Sequence, residues 1–133
     1  MEPPINADER RLELDQITEK IIQGAFNVSN SLGCGFLEKV YENALFHELR
    51  KMGLRVHQQA AVKVIYDGVE VGEYIADLLV EDRIIVELKA VKALDNVHVA
   101  QCMNYLKATG LSVCLLMNFA KPRVEFRRIV RDF

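Results

Sequence analysis

The sequence predicts one mixed α/β domain, in which two helices precede a sheet and a third helix connects its later strands. The chain has 133 residues, of which 50% are hydrophobic, and this is enough for one domain with a sizeable core. Apolar residues recur at helical spacing in residues 9–52 and 95–109, whereas the residues between them form apolar runs divided by turn residues. Helices, then a meander of strands, then a crossover are typical of a mixed sheet.

The first half of the predicted domain is helical. After a loose segment at residues 1–8, a helix is predicted at residues 9–31. Its predicted inward side chains are Leu12, Ile17, Ile21, Ala25 and Val28. The helix should end at residues 33–35, because Gly33 and Gly35 adopt the open backbone that a helix end requires. A second helix is predicted from about residue 37 to residue 52.

Strands dominate the second half. The predicted elements are strands at residues 55–66, 69–80 and 84–91, a helix at 95–109, and strands at 112–118 and 124–130. The Asp67-Gly68 dipeptide between the first two strands favours a tight hairpin turn. Asp95 is placed to cap the third helix, and Gly110 ends it.

Composition excludes several classes of protein. The formal net charge of −2 argues against a strong, nonspecific nucleic-acid binder. No apolar stretch approaches the ~18 residues of a membrane span, and residues 1–6 lack the pattern of a signal peptide. Cys34, Cys102 and Cys114 show no C-x-x-C spacing, and they are expected to be buried thiols in a reducing cytoplasm.

The most informative residues lie around the predicted turn between two apolar strands, where Asp77, Glu87 and Lys89 are found. If Val80 faces Ile84 across a three-residue loop, Asp77 lies opposite Glu87, and Lys89 shares their face. A two-residue loop would turn Asp77 to the other face.

Two carboxylates that face each other in an apolar sheet require a cation, because opposed like charges and buried charge are both unfavourable. Lys89 supplies one positive charge, and a divalent ion would supply two; carboxylate and water oxygens suit magnesium. The alternative is a structural ion pair of Glu87 with Lys89 or Arg83. Apolar residues on both faces of this strand indicate a central strand and favour the metal.

Charged and polar side chains also fall on predicted helix faces. Glu38 lies about 20° from Leu45 and Leu49 around the second helix, inside its apolar arc, and Glu48 falls there too. The third helix is apolar except for a stripe of His98, Gln101, Asn104 and Tyr105, with Lys107 pointing elsewhere. Such a stripe indicates either a satisfied buried network or contact with a ligand.

The C-terminal segment is basic. It carries Lys121, Arg123, Arg127, Arg128 and Arg131. Ordinary solvation of an exposed strand is one interpretation, and a phosphate-contacting edge is the other.

Three motifs, in this order, resemble a known family. The first, Gly35–Tyr41, is similar to the G-x-x-E-x-x-Y signature of the GxxExxY proteins. The second, Asp77 with Glu87-Leu88-Lys89, is similar to the core motif of the PD-(D/E)XK nuclease superfamily, which includes the GxxExxY proteins. The third, Gln101–Tyr105, is similar to the Q-x-x-x-Y motif of several nuclease branches. The resemblance extends over roughly residues 15–130. Ala76 stands where the superfamily has the proline of its name, which is not a ligand.

This resemblance implies a restriction-endonuclease-like fold, a mixed β-sheet flanked by helices on both faces, over a single domain at residues 9–133. It also implies hydrolysis of phosphodiester bonds in DNA or RNA with Mg²⁺ or Mn²⁺. Asp77 and Glu87 would hold the metal, with the main-chain carbonyl of Leu88 as third ligand. The metal would polarise the phosphoryl oxygen and lower the pKa of a bound water.

The remaining motif residues have implied roles around that metal. Lys89 would orient the water or stabilise charge on the phosphate, and Glu38 would bind metal through water or a second ion. Gln101 and Tyr105 would position the strand or the nucleophile. One site cuts one strand, so double-strand cutting would favour a homodimer.

Two other functions stay open. A catalytically silent nucleic-acid-binding or complex-forming module could use the same fold, although such a module would not need Lys89. The other is a purely structural role for an ion pair between Glu87 and Lys89.

Overall fold

The computed structural model describes residues 6–131 and shows, within them, a five-stranded mixed sheet with helices on both faces. The elements in chain order are α1 (Ala7–Leu32), α2 (Glu38–Lys51), β1 (Val56–Tyr66), β2 (Val69–Val80), β3 (Ile84–Lys89), α3 (Asn96–Thr109), β4 (Val113–Asn118) and β5 (Glu125–Val130). The predicted α/β class is confirmed, and each predicted helix and strand is present with its ends within two residues of the prediction.

The start of α1 differs from the prediction. The helix begins at Ala7, because the Asn6 side chain accepts a hydrogen bond from the N–H of Glu9 and so caps it. Residues 1–5 of the predicted loose segment lie outside the described residues. Leu12 is 60% exposed, so its prediction as a core residue is wrong; Leu14 is buried instead, two positions around the helix.

The sheet separates two hydrophobic cores. Its strand order is β1-β2-β3-β4-β5, with β3 and β4 parallel and the other neighbours antiparallel. Helix α3 provides the crossover that the parallel pair requires. Helices α1 and α2 pack on one face of the sheet, and α3 packs on the other. Strands β3 and β4 are therefore buried on both faces, as their continuous apolar sequences indicate.

Strands β1 and β2 extend beyond the rest of the sheet. They pair with each other along residues 56–66 and 69–80, whereas β2 pairs with β3 only through residues 78–80. Residues 60–76, called the hairpin arm below, therefore reach past the sheet. Its exposed large apolar side chains are Ile65, Tyr66, Val69, Val71, Tyr74 and Ile75.

The three cysteines have different environments. Cys102 and Cys114 are buried free thiols, as predicted. The prediction is wrong for Cys34, which is exposed because it lies in the surface turn between α1 and α2.

None of the helices within residues 6–131 has both the length and the apolar character that crossing a membrane requires.

Candidate active site

The turn between β2 and β3 fixes the position of the two motif carboxylates. Val80 pairs with Ile84, which is the register of the three-residue turn. The ladder ends at Leu78, and the next residue, Asp77, accepts a 2.9 Å hydrogen bond at Oδ2 from the main-chain N–H of Leu88. The Asp77 carboxylate thus replaces a main-chain acceptor where the two strands separate.

Glu87 is the most unusual carboxyl group in this region. It is 3% exposed, and its Oε1 atom has no hydrogen-bond partner within the described chain. Burial first, and then a hydrogen bond and the negative charge of Asp77, raise the pKa of Glu87 to about 10. A buried carboxyl group with an orphaned oxygen and a carboxylate neighbour fits a site for a cation.

The donor set suits a hard divalent ion with an incomplete protein shell. Within residues 6–131, no three side chains of the His, Cys, Asp and Glu types converge as a metal-binding group. Two carboxylates, a main-chain carbonyl, water and substrate phosphate are the ligands that Mg²⁺ commonly uses. Asp77 and Glu87 fit such a shell, and they do not fit the closed side-chain cage of a structural zinc site.

Lys89 lies near both Glu87 and Glu38. It is half-buried at the end of β3, and its positive charge opposes the rise in the pKa of both glutamates. The proposed structural ion pairs are absent from the described residues: Arg83 Nη1 lies 2.8 Å from Glu13 Oε2, and no ion pair joins Glu87 to Lys89. The charge of Lys89 therefore remains directed at the carboxylate cluster.

Asn118 holds the backbone at the end of β3, and sequence analysis gave it no role. It is fully buried and is the register partner of Lys89 in the β3–β4 ladder. Its side chain accepts a 3.1 Å hydrogen bond from the N–H of Val91 and donates one of 2.8 Å to the Val91 carbonyl. The N–H of Phe119 donates to the Lys89 carbonyl at 2.9 Å. These bonds fix where the Lys89 side chain leaves the sheet.

Glu38 reaches the same cluster from the first residue of α2. Partial burial raises its pKa, and the negative charge of Asp77 adds to the increase. Lys89 and a main-chain hydrogen bond from Ala90 act in the opposite direction. Glu38, Asp77 and Lys89 therefore interact electrostatically although they come from three different elements.

Tyr41 explains the spacing of the G-x-x-E-x-x-Y segment. Its hydroxyl donates a 2.6 Å hydrogen bond to the Gly33 carbonyl and accepts one of 3.2 Å from the N–H of Phe36. Its ring stacks on Phe119 at 4.9 Å. Gly35 has φ of 108°, which favours glycine. Tyr41 therefore fixes the loop that presents Glu38, and its side chain is buried in the core.

Two of the four polar side chains predicted on α3 interact beside the site. Gln101 Nε2 donates to the Tyr105 hydroxyl at 3.1 Å, and that hydroxyl donates to the Ile75 carbonyl at 3.4 Å. Burial first, then the charges of Glu87 and Asp77, raise the pKa of Tyr105 to about 12, so its hydroxyl keeps its proton.

The other two polar side chains of this helix lie elsewhere. His98 forms a capping box with Asp95, accepting a 3.1 Å hydrogen bond from its N–H, and its role is at the helix terminus. Asn104 is exposed.

Glu42 is a buried carboxylate that sequence analysis missed. It lies one turn after Glu38 and is 4% exposed. It accepts hydrogen bonds from Lys39 at 2.8 Å, from Gln59 at 2.9 Å and from Gln58. The signal was present, because Glu42 lies three residues before Leu45 and seven before Leu49.

Gln59 connects Glu42 to the neighbourhood of Asp77. It lies between the register pairs Gln58↔Leu78 and Ala60↔Ala76, and therefore beside Asp77. Its φ of 56° is in the left-handed region, which is uncommon for a residue other than glycine within a strand. Glu42 thus holds an irregular part of β1 next to the site.

The basic C-terminal segment contacts the protein itself at three of its arginines. Arg128 pairs with Asp15 at 2.6 Å, Arg123 lies 5.1 Å over the ring of Phe26, and Arg127 donates to the Leu94 carbonyl at 3.4 Å. Because these three side chains are already engaged within the protein, the contacts argue against the interpretation of the segment as a phosphate-contacting edge.

A family model for the PD-(D/E)XK nuclease superfamily matches residues 15–129, and the chain belongs to that superfamily. No curated protein sequence matches it significantly.

Solved structures share the fold at low sequence identity. The crystal structure of SSO0001 superposes with a TM-score of 0.56 and 14% identity, over 93% of this chain and 63% of that one. The chain thus spans less than two thirds of SSO0001. LHK-Exo in complex with dAMP superposes with a TM-score of 0.51 and 13% identity, over 86% of this chain and 83% of that one. A second structure of LHK-Exo, an alkaline exonuclease from Laribacter hongkongensis, has a TM-score of 0.49 and 13% identity, over 89% and 82% of the two chains.

Proposed function

We propose that this chain is a divalent-metal-dependent nuclease that hydrolyses phosphodiester bonds in DNA or RNA, with Mg²⁺ or Mn²⁺ as the ion. The observation that carries the proposal is the buried Glu87, whose Oε1 atom has no partner and whose neighbour is the Asp77 carboxylate. Without a bound cation, two neighbouring carboxyl groups with a buried, unpartnered oxygen are energetically unfavourable in the folded protein. Membership of the PD-(D/E)XK superfamily and the fold shared with LHK-Exo support nucleic acid as the substrate class.

Asp77, Glu87 and the main-chain carbonyl of Leu88 would hold the ion. A bound divalent ion polarises a phosphoryl oxygen and lowers the pKa of a bound water. The Lys89 ammonium group would donate a hydrogen bond to a phosphate oxygen, so that it stabilises the negative charge that develops there. Glu38, whose pKa is raised, would accept a hydrogen bond from water at the site. Gln101 and the protonated Tyr105 would position the strand.

The second candidate is a catalytically silent nucleic-acid-binding or complex-forming module on the same fold. The exposed apolar side chains of the hairpin arm favour it, because exposed apolar patches commonly contact partners. Lys89 argues for catalysis, because binding alone does not require an ammonium group directed at two carboxylates.

Three narrower assignments belong with this proposal. The Gly35–Tyr41 segment supports membership of the GxxExxY family. The buried free thiols Cys102 and Cys114 suit the reducing cytoplasm. A homodimer would be needed if the substrate is cut in both strands at once.

Titration calorimetry with Mg²⁺ and Mn²⁺ tests the metal site, first on the protein alone and then with an oligonucleotide present. We expect heat of binding for the wild type and its loss in Asp77→Asn. Asp67→Asn is the matched control, because Asp67 is an exposed turn residue whose φ of 53° asparagine tolerates. No metal binding even with oligonucleotide would exclude catalysis through this site.

Lys89→Ala separates the nuclease from the silent module. In a nuclease it should reduce cleavage by about 10²-fold or more while metal binding persists. Lys63→Ala, which removes an exposed lysine of β1, should leave cleavage unchanged. A wild type that binds oligonucleotides, cuts none of them, and loses no affinity in Lys89→Ala would identify the silent module.

A further inference from the structure

A cavity of about 530 Å³ lies between the hairpin arm and helix α3. This volume is within the ~300–1,000 Å³ range of small-molecule sites. The arm supplies apolar side chains, among them Val64 and Val71, and α3 supplies Asn104 and Lys107. Tyr74 lines the cavity as well. Asn104 is one of the polar residues on α3 that the carboxylate site does not use.

Tyr74 connects this cavity to the candidate active site. Its ring packs edge-to-face on Tyr105, with centroids 5.9 Å apart. The hydroxyl of Tyr105 donates to the Ile75 carbonyl, two residues before Asp77. Tyr74 is three residues from Asp77 on the same strand, or about 10 Å at the usual rise. If a nucleic-acid strand binds with one phosphate at Asp77 and Glu87, a neighbouring nucleotide of that strand is therefore within reach of the cavity.

The side chains that line the cavity match the parts of a nucleoside. Tyr74 is 51% exposed and offers an aromatic ring for base stacking. The Asn104 amide can donate to and accept from a base edge, and the Lys107 ammonium group can pair with a phosphate. Among the described residues that line the cavity, none is acidic, so nothing there repels a phosphate.

Gly72 keeps one part of the cavity open. It lines the cavity, and a Cβ atom built at this position would meet no atom within 4 Å. Its φ is not in the left-handed region, so other residues can adopt the same backbone. A larger side chain here would occupy the cavity without removing any of its polar groups.

We propose that this cavity binds a nucleoside of single-stranded nucleic acid, with the base stacked on Tyr74 and the adjoining phosphate directed toward Asp77 and Glu87. The inference rests on the proposed nuclease function and narrows its substrate class. A base can enter such a cavity only when it is unpaired, because the faces and pairing edges of a base in a duplex are already occupied. The substrate class is therefore a single strand or an unpaired end.

Fluorescence anisotropy with a labelled single-stranded oligothymidylate tests the cavity. EDTA is present, so that no metal-dependent cleavage takes place. The wild type should bind the single strand more tightly than a duplex of the same length. Tyr74→Leu should weaken single-strand binding roughly 5- to 100-fold, and Tyr74→Phe should retain it because the ring remains. The matched control is Tyr66→Leu, which removes a 74% exposed tyrosine at the far end of the arm and should not change the affinity.

Two further variants address the cavity without altering Tyr74. Gly72→Leu should weaken binding to a similar degree. The melting temperature should stay at or above that of the wild type, because glycine in the interior of a β-strand weakens the strand and its replacement removes that penalty. Lys107→Ala should reduce the slope of the logarithm of the binding constant against the logarithm of salt concentration by about 0.7, which corresponds to one phosphate contact on a single strand.

The outcomes separate the cavity from the nuclease proposal. Cavity-dependent binding without cleavage in Mg²⁺ or Mn²⁺ would leave the cavity proposal standing and remove the catalytic one. Cleavage that Tyr74→Leu and Gly72→Leu leave unchanged, with affinities equal to that of Tyr66→Leu, would overturn the cavity proposal alone. Equal binding of duplex and single strand, or no oligonucleotide binding, would also overturn it. So would sedimentation in which Tyr74→Leu converts an oligonucleotide-free dimer to a monomer, because the cavity would then be a self-association surface.

Discussion

Glu42 and Glu87 are both buried glutamates near the same end of the sheet, but their surroundings are opposite. Glu42 is 4% exposed and receives hydrogen bonds from Lys39, Gln58 and Gln59. Glu87 is 3% exposed, has an oxygen without a partner, and faces the Asp77 carboxylate. The fold thus provides hydrogen-bond donors for the Glu42 carboxylate and leaves the Glu87 carboxyl group without a donor for one of its oxygens.

The pKa values of these two groups move in opposite directions. Burial raises the pKa of Glu42, but its three hydrogen-bond donors outweigh burial and leave it below the usual value. Burial and Asp77 raise the pKa of Glu87 to about 10. The stability that Glu42 contributes is present above the unfolded pKa and is lost as the pH falls through its folded pKa. For Glu87 the ionised form is unfavourable in the folded protein, so its site is poised for a cation instead.

The largest expected effect is on cleavage. Glu87→Gln should reduce the rate of oligonucleotide hydrolysis by about 10²-fold or more, because it removes a charged metal ligand from the reacting centre. Glu42→Gln should leave the rate close to that of the wild type, since Glu42 is not among the proposed metal ligands and an amide oxygen can still accept the bonds from Lys39 and Gln58 that Oε2 receives. Single-turnover cleavage in Mg²⁺ measures both rates.

Similar losses in the two variants would contradict this contrast. In that case, Glu42 would either contact the substrate itself or control the site through Gln59 and the backbone beside Asp77. A folding control by circular dichroism is needed for both variants.

The next effect is on stability. Glu42→Ala should lower the free energy of unfolding by about 2 to 3 kcal/mol, because it removes a buried carboxylate that accepts from Lys39, Gln58 and Gln59, and only Gln58 keeps another acceptor, Asn43. Urea unfolding measures this loss.

Glu48→Ala is the matched control on the same helix, where Glu48 pairs with Lys51 and accepts from Asn27. We expect a smaller loss, because an ion pair of this kind contributes little. Equal losses in the two variants would show that the buried network around Glu42 adds nothing beyond an ordinary helix contact.

Periodicity was sufficient for the fold and for the main-chain position of the candidate site. The apolar runs of β3 and β4 predicted the sheet, and of the two registers that the charged turn allowed, the structure has Val80↔Ile84, which brings Asp77 toward Glu87. The hydrogen-bond partners of the buried polar side chains were not predictable in the same way. Two of the three partners of Glu42, Gln58 and Gln59, come from β1, and Asn118 bonds across a loop to Val91, so these contacts have no local sequence signal.

The same limit explains the errors. Leu12 and Leu14 are both apolar residues on α1, but two positions are about 200° apart around a helix, so only one of them can face the core, and it is Leu14. Cys34 lies in a turn whose exposure depends on the packing of α1 against α2. The cavity beside Tyr74 depends on how far the hairpin arm extends past β3, which only the three-dimensional pairing reveals.

The smallest effect is also the sharpest test of the comparison, because its sign is opposite to that of Glu42→Ala. In EDTA at pH 8, Glu87→Gln should raise the free energy of unfolding by about 1 to 2 kcal/mol, since an uncharged amide replaces a group whose ionisation is unfavourable in the folded state. The folded pKa of Glu87 is raised, so its contribution to stability is full below about pH 4.5 and is lost as the pH rises toward 10.

The difference between Glu87→Gln and the wild type should therefore grow from pH 5 to pH 9. Saturating Mg²⁺ should reduce this difference by stabilising the wild type more than the variant, because an ion that binds only the folded state stabilises it more the more tightly it binds. Urea unfolding at several pH values measures the trend. Asp67→Asn is the control, and its difference in unfolding free energy from the wild type should stay the same at every pH. A Glu87→Gln protein that is destabilised equally at all pH values would place Glu87 with Glu42, as a carboxylate whose partners the fold itself provides.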